Sequence, residues 1–438
     1  MSDQNRTERR AFLATLAATG VGLAGCSSLS GDGSDAATGS PTSSATPTAT
    51  SSTTPESTAT EQSDQSQSTE STDLGSHEPM QPKAATFEDL SYWTSHAGVT
   101  LEGDSETVYQ GSQSARIEGR SGTIQRSFPV PIDLSNRDIS LAMKIDGPVP
   151  NNFGIYLYDT GGNATHLIQG YHDKHPDGWI RINPSIDSAG ADMSSITKML
   201  ITLGGGGENK KYWVDDIRFH EKTSDKAQVM FTFDYITRSI YEVAFSEMEK
   251  RGITGAVSVP GDRVGNADRL TVEELKELKN AGWEITSMSN NFEPLYGQSE
   301  RIQRQRLERN ISLLDQFGLG KPTTLMYPKG FCDATTVKLA EEYHDLGFLT
   351  FNDSERGTSQ SALMGPTFVN RSQPSTVEAL KNQVEPAKAY NGLYVVHQNQ
   401  IGPNADNNRA VFTEMLDYVK EQQKQGNVEI VTPSDVVL

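Results

Sequence analysis

The pattern of apolar positions along this chain changes character three times. A continuous apolar stretch runs from Ala11 to Gly25, directly after Glu8-Arg9-Arg10. It is too short to span a bilayer stably and reads as a targeting segment. Apolar periodicity then vanishes. Residues 27–80 hold 26 Ser or Thr, eight acidic side chains and neither Lys nor Arg. Such a stretch cannot bury a core, and 27–82 reads as a solvated, disordered tether. From about 84 to 222, short alternating runs such as Thr123–Phe128, Ile139–Ile145, Phe153–Tyr158 and Trp179–Ile182 are separated by Gly, Asn and Pro. Short strands with regular turn signals predict an all-β sandwich over 83–222.

Beyond residue 226, apolar runs of strand length alternate with segments of helical period. Strands are predicted at 228–234, 254–260, 284–289, 323–327, 347–351, 366–370, 393–397 and 428–432. Helices are predicted at 238–251, 271–281, 299–317, 333–344, 376–390 and 407–425. Thr271 followed by Glu273 and Glu274 marks a helix start, and Gly282 its end. Alternation of this kind predicts a parallel β/α barrel over 226–438, a distorted TIM-like α/β fold. Chemistry in such barrels gathers at the strand C-terminal ends. Asp234, Met288–Asn290, Pro328–Gly330 and His397 all fall there.

Charge and cysteine content narrow the partners. The net charge of −19 is spread along the chain, which disfavours nucleic acid and anionic membrane surfaces. The two cysteines, Cys26 and Cys332, are not expected to pair. Cys26 closes Leu23-Ala24-Gly25-Cys26, which resembles a prokaryotic lipobox, and the arginine pair resembles a twin-arginine export signal. Those resemblances imply a signal over 1–26, cleavage before Cys26 and lipidation of its sulfur. The expected location is the outer face of a prokaryotic cell, with a lipid anchor in the membrane.

Four motifs of the C-terminal region stand in a telling order. They are Thr232-Phe-Asp-Tyr235, Gly282-Trp-Glu-Ile-Thr-Ser-Met-Ser-Asn-Asn-Phe292, Met326-Tyr-Pro-Lys-Gly330 and Leu393-Tyr-Val-Val-His397. Together they resemble the polysaccharide deacetylases, the nodulation-B-type (NodB homology) carbohydrate esterases. The family signature is Thr-Phe-Asp-Asp, then Gly-His-Glu-Ile-x-Ser-His-Thr-x-x-His, a Tyr-Pro-x-Gly-type segment and a late Leu-x-x-His. The resemblance implies hydrolysis of acetyl groups on a glycan by a divalent metal such as zinc, held by Asp-His-His, with a separate Asp as base and a late His as acid. Asp234 matches the base and His397 the acid. The backbone N–H of Lys329 matches the oxyanion donor. Tyr327, Pro328 and Arg371 match the groove wall.

The metal positions do not match. Tyr235 stands where the metal-binding Asp belongs, and Met288 and Phe292 stand where the two His belong. Neither Met288 nor Phe292 is a ligand for a hard or borderline cation, and the Tyr235 phenol stays protonated near neutral pH. Only His344 and His397 lie beyond residue 220, so no two-His site is expected in this region. His344, late on a predicted helix, reads as solvated. Two readings stand for Asp234: a retained functional carboxylate, or a strand-end Asp that caps a helix or pairs with Arg238 or Arg371. For His397 the alternative is a hydrogen-bonded core histidine.

In the β region, Phe87-Glu-Asp, Gly111–Ile117 and Tyr212–Phe219 resemble the jelly-roll carbohydrate-binding modules. That likeness implies sugar stacking by exposed aromatics among Trp93, Trp179, Trp213, Tyr171, Tyr156 and Tyr158; the alternative is core packing. It also implies a structural Ca²⁺ at Glu88 and Asp216, or else two turn acids. Asn163, Asn310, Asn352 and Asn370 open glycosylation sequons.

The reading favoured by these residues is an exported surface lipoprotein whose barrel binds extracellular or cell-envelope glycan as a pseudo-enzyme without a catalytic metal. The alternatives are an active carbohydrate deacetylase using an altered or metal-independent site, and a surface scaffold that contacts other proteins.

Overall fold

The computed structural model describes residues 86–96, 98–147, 152–170, 178–203, 208–349, 357–363, 369–402 and 408–437. The expected signal, Cys26, the tether and Tyr171 lie outside the described residues. Among those residues no helix is long and apolar enough to cross a membrane. The chain from Thr72 to Leu438 forms one compact unit.

Its first part is built of two antiparallel sheets. One has six strands in the order β1 (Trp93–His96), β4 (Gly122–Ile132), β10 (Ile196–Leu203), β6 (Asn152–Asp159), β7 (Ala164–Gly170) and β9 (Ser185–Ala189). The other has five, in the order β2 (Thr100–Asp104), β3 (Ser114–Gly119), β11 (Lys210–Glu221), β5 (Arg137–Asp146) and β8 (Ile180–Ile182). Alternation decides which side chains meet. Phe153, Ile155 and Leu157 of β6 are buried, whereas Tyr156 and Tyr158 between them are half-buried. One apolar cluster draws on both sheets, with Ile124, Ile155, Leu157 and Ile201 from the first and Ile117, Leu141, Met143 and Val214 from the second.

The second part is a mixed eight-stranded sheet curling into a half-barrel flanked by helices. Its order is β16 (Leu346–Phe348), β15 (Thr324–Met326), β14 (Glu284–Ser287), β13 (Ala256–Val259), β12 (Ala227–Phe233), β18 (Leu393–Gln398) and β17 (Thr358–Ser359), with β19 (Val428–Ile430) also on β12. All pairings are parallel except β17 with β18. Strand β12 is buried at all seven positions, as a parallel strand covered on both faces must be. Helix Val272–Asn280 begins with the expected capping box, Thr271 with Glu274, and Gly282 follows its end at φ 90°.

Two features depart from the periodicity reading. Residues 369 and 370 form no strand; Val369 makes one isolated bridge to Phe348, and 366–368 lie outside the described residues. In place of a further parallel strand, the short β17 runs antiparallel to β18, held by Thr358 Oγ1 donating to the Gln383 carbonyl. Two residues carry too little apolar pattern to be legible as a strand.

The two parts join through buried polar groups. The Gln360 carboxamide accepts from the Ile139 N–H and donates to the carbonyls of Ile139 (2.8 Å) and Pro184 (2.9 Å). Asp138 accepts from Lys222 Nζ at 2.8 Å, Ser361 Oγ at 2.8 Å and the Ala362 N–H at 2.7 Å.

Candidate active site

At the C-terminal end of β12 the chain makes a sharp reversal. Tyr235 (φ 71°) and Ile236 (φ 44°) are consecutive non-glycine residues in left-handed backbone. That conformation costs a β-branched or bulky residue roughly 1–3 kcal/mol and persists only where the surroundings enforce it. The enforcing bonds are Asp234 N–H to the Gln398 carbonyl (3.0 Å) and Leu270 N–H to the Ile236 carbonyl (3.0 Å).

Asp234 is buried and its carboxylate accepts three hydrogen bonds. Arg371 donates from Nη1 to Oδ1 (3.1 Å) and from Nη2 to Oδ2 (2.9 Å), and Ser258 Oγ donates to Oδ1 at 2.7 Å. His397 Nδ1 lies 3.6 Å from Oδ2. Burial alone would raise the Asp234 carboxyl; the Arg371 guanidinium, the charged form of His397 and the hydrogen bonds outweigh it and hold the group below the usual carboxylate range. Burial, followed by the repulsion of Arg371, depresses His397 to about 4, against the opposing pull of Asp234 and Asn399. At neutral pH the histidine is therefore an uncharged imidazole beside a locked ion pair. The expected pairing partner of Asp234 in the structure is Arg371. Arg238 pairs elsewhere, with Glu274 and Glu242.

Arg371 was expected on a groove wall. It is fully buried, and its Nε donates to the Leu349 carbonyl at 3.0 Å. Tyr327 and Pro328 are likewise buried and not groove residues. Tyr327 packs in the apolar cluster with Leu325, Cys332 and Leu339, against Gly347, where any Cβ would lie 2.7 Å from its hydroxyl. Lys329 has an exposed side chain and left-handed backbone (φ 57°) in the short helical turn Pro328–Gly330.

The three expected metal positions do converge, and they converge as packing. Met288 is fully buried in an apolar cluster with Met230, Met326, Phe348 and Val395; Tyr235 and Phe292 pack against that cluster. The rings of Tyr235 and Phe292 meet edge to face, with centroids 4.8 Å apart and planes at 67°. Such a pair contributes about 0.5–1.5 kcal/mol beyond its area. A protonated phenol, a thioether and a benzene ring do not fit a divalent cation of the kind the sequence resemblance implies. Among the described residues, no group of three His, Cys, Asp or Glu is gathered that could hold a metal ion.

Asn310 was legible only as the start of a sequon, yet it organises this end of the sheet. It is fully buried; Nδ2 donates to the Val259 carbonyl (3.1 Å), Ser287 Oγ (3.1 Å) and the Met288 carbonyl (3.0 Å), and Oδ1 accepts from Gly261 N–H (2.7 Å). Asn370 is also buried and donates to Ser185 Oγ. Neither amide is open to a glycosyl group. His344, expected in solvent, is buried at the end of helix Ala334–Tyr343, where desolvation depresses it to about 3. Helical phase could not show that Tyr343 rather than His344 turns outward.

In the β region, Trp93 is 5% exposed and stacks on Phe87 at 4.9 Å. Trp213 is 4% exposed and donates from Nε1 to Asp104 at 2.8 Å, with Lys144 and Lys211 over its ring. Neither offers a face to a sugar. Trp179 is half-buried and tilted against Tyr109 at 5.6 Å. The expected calcium pair is otherwise engaged: Asp216 is buried between Arg181 and Arg218, and Glu88 accepts from the Ser112 N–H and hydroxyl. Buried arginines already supply Asp216 with the positive charge that a cation would bring.

Residues 221–347 match the family model described as polysaccharide deacetylase. YxkH of Bacillus subtilis (strain 168), a protein named as a polysaccharide deacetylase, is 28% identical over 122 residues, which is 28% of this chain and 43% of YxkH. The chain thus spans less than half the length of that curated relative. Among solved structures, the Streptococcus pyogenes deacetylase PplD in complex with acetate is 24% identical, over 35% of this chain and 69% of that one, with TM-score 0.32. A family 4 acetyl xylan esterase from Clostridium thermocellum is 19% identical, over 48% of this chain and 89% of that one, with TM-score 0.34.

Proposed function

We propose that this protein binds an extracellular glycan without hydrolysing it, on a polysaccharide-deacetylase scaffold that has lost its metal site. One observation carries this reading: at the strand ends, Tyr235, Met288 and Phe292 pack together while Arg371 locks Asp234 beneath the surface. A general base needs an accessible lone pair within reach of the water it activates. This carboxylate is buried, and two N–H donors and a hydroxyl already draw on its lone pairs.

The two antiparallel sheets, read as a jelly-roll module over 83–222, supply the sugar-binding face. Tyr156 and His166 stack in parallel with centroids 4.0 Å apart, and Tyr158 lies 6.4 Å from Tyr156. All three are half-buried on one sheet face, with Lys198 over the Tyr158 ring, whereas Trp93 and Trp213 are buried. Aromatic side chains that keep an open side suit the apolar faces of pyranose rings. Residues 1–26 would export the chain and anchor it through Cys26, with 27–82 as the tether. The test is acetate release from a panel of acetylated glycans, with and without chelator, run beside a binding assay on the same panel. Binding without acetate release is expected. Acetate release that depends on Asp234 would refute the proposal.

A further inference from the structure

Phe292 carries a second relationship that its packing does not require. The guanidinium carbons of Arg263 and Arg269 lie 5.6 and 5.5 Å from the centroid of its ring. Neither arginine makes a salt bridge to another described residue; their side chains reach only the carbonyls of Asn291 and Asp268, both at 3.4 Å. Elsewhere on this scaffold Arg238, Arg251, Arg304, Arg309 and Arg409 each meet a carboxylate. Arg263 lies within Coulombic reach of the Asp262 carboxylate, and Arg306 likewise meets only a carbonyl, so what sets Arg263 and Arg269 apart is their convergence on one ring. Cation–π attraction at a partly exposed site returns only about 0.5–1 kcal/mol each, and like charges oppose it.

Both arginines sit on braced backbone. Arg263 ends the short turn Gly261–Arg263 that follows β13, and the Asp262 N–H is fixed to the Asn290 carbonyl at 2.9 Å. Arg269 is bridged to Thr237, directly after the left-handed Tyr235 and Ile236. Asn290 adds a third element. It is 7% exposed, its Nδ2 donates to Asp262 Oδ2, and its Oδ1 is buried with no partner. Flipping the amide would set oxygen against the Asp262 carboxylate, so the orphan is a true acceptor. A buried acceptor left unpaired costs about 1–3 kcal/mol, and a ligand hydroxyl would relieve it.

We infer that the barrel mouth around Phe292 binds an acidic saccharide, a sugar bearing a carboxylate or sulfate, through Arg263 and Arg269, with Asn290 accepting a sugar hydroxyl. This rests on the glycan-binding reading above and names its substrate class at a second site. Arginine suits the task because its planar donors match carboxylate and sulfate oxygens in pairs.

The test is binding of the full chain, at fixed ionic strength, to polygalacturonate, dextran sulfate, neutral dextran, a neutral acetylated chito-oligosaccharide and inorganic sulfate. The same series is run on Arg263→Gln, Arg269→Gln and the double variant, with melting curves to verify folding. The acidic polymers should bind more tightly than the neutral glycans. Each single change should weaken them about tenfold, with neutral-glycan binding unmoved. Tyr156→Ala should do the reverse. Neutral binding intact with no preference for acid, or acidic binding indifferent to both arginines, would overturn this inference alone. Inorganic sulfate as tight as the polymers would reduce the site to an anion site and overturn the saccharide. No binding to any glycan would sink this inference together with the reading beneath it.

Discussion

Arg371 grips Asp234 through both terminal nitrogens, at 2.9 and 3.1 Å, and both side chains are buried. The pair is asymmetric in its consequences. Removing one partner strands a buried charge, whereas removing both leaves a smaller, uncharged gap. Asp234→Ala should therefore lower stability by about 3–5 kcal/mol. The double change Asp234→Leu with Arg371→Met should cost markedly less than the sum of its parts. Denaturant midpoints of the two singles and the double provide the check, and additive losses would count against a locked pair.

The packed ligand positions yield a gain-of-function test. Replacing Tyr235, Met288 and Phe292 with Asp, His and His restores a donor set suited to zinc. Met288→His alone should destabilise the protein by about 1–3 kcal/mol, since it puts a polar ring into an apolar cluster. The triple variant should bind one equivalent of zinc by elemental analysis, and the unaltered protein none. Stoichiometric zinc in the unaltered protein, lost on Tyr235→Phe, would contradict the packing account.

Acid should unfold this protein in two phases. His344 is depressed to about 3, and His397 and His220 to about 4, in each case chiefly by burial. A histidine whose folded pKa lies below its unfolded value contributes stability fully above about pH 6.5, lost as the unfolded chain alone takes up the proton. At pH 5 the loss is about 2 kcal/mol per histidine. The ion-paired Glu247 and the hydrogen-bonded Asp159, both held at about 2, contribute above about pH 4 and lose that contribution only at lower pH. Melting temperature should fall between pH 6.5 and 4.5, and His344→Leu should flatten that fall. An unchanged slope would mean that His344 is not protonated on unfolding in this range.

The join between the two parts should be felt by both. Gln360→Ala leaves the Ile139 N–H and two carbonyls unpaired in a buried setting, at a cost of about 1–3 kcal/mol. The full chain should melt in one transition and the variant in two, seen by calorimetry. Independent transitions in the unaltered protein would show that these bonds do not couple the parts.

Periodicity made most of the second part legible, because a parallel strand buried on both faces is continuously apolar and each intervening helix keeps its own phase. The runs at 228–234 and 393–397 became β12 and β18 within one residue at each end. It failed at β17, where two residues carry no period, and at His344, whose inward turn depends on where a helix ends. The aromatic residues of the first part were visible as a set, but not which were buried. Alternation on β6 turned Tyr156 and Tyr158 outward, while Trp93 stacked inward on Phe87.

Composition and order alone put Tyr235, Met288 and Phe292 where the resemblance implies Asp, His and His, and ligand chemistry belongs to the side chain whatever the fold. They also determined the alternation of strand and helix that sets those residues at strand ends. Only the tertiary structure decided that Arg371, 137 residues from Asp234 in the chain, meets it as a buried partner, and that Arg263 and Arg269 converge on Phe292. Those relationships follow from how parallel strands are ordered across the sheet and where each loop turns. A chain written in one dimension does not encode distance between segments that far apart in any local pattern.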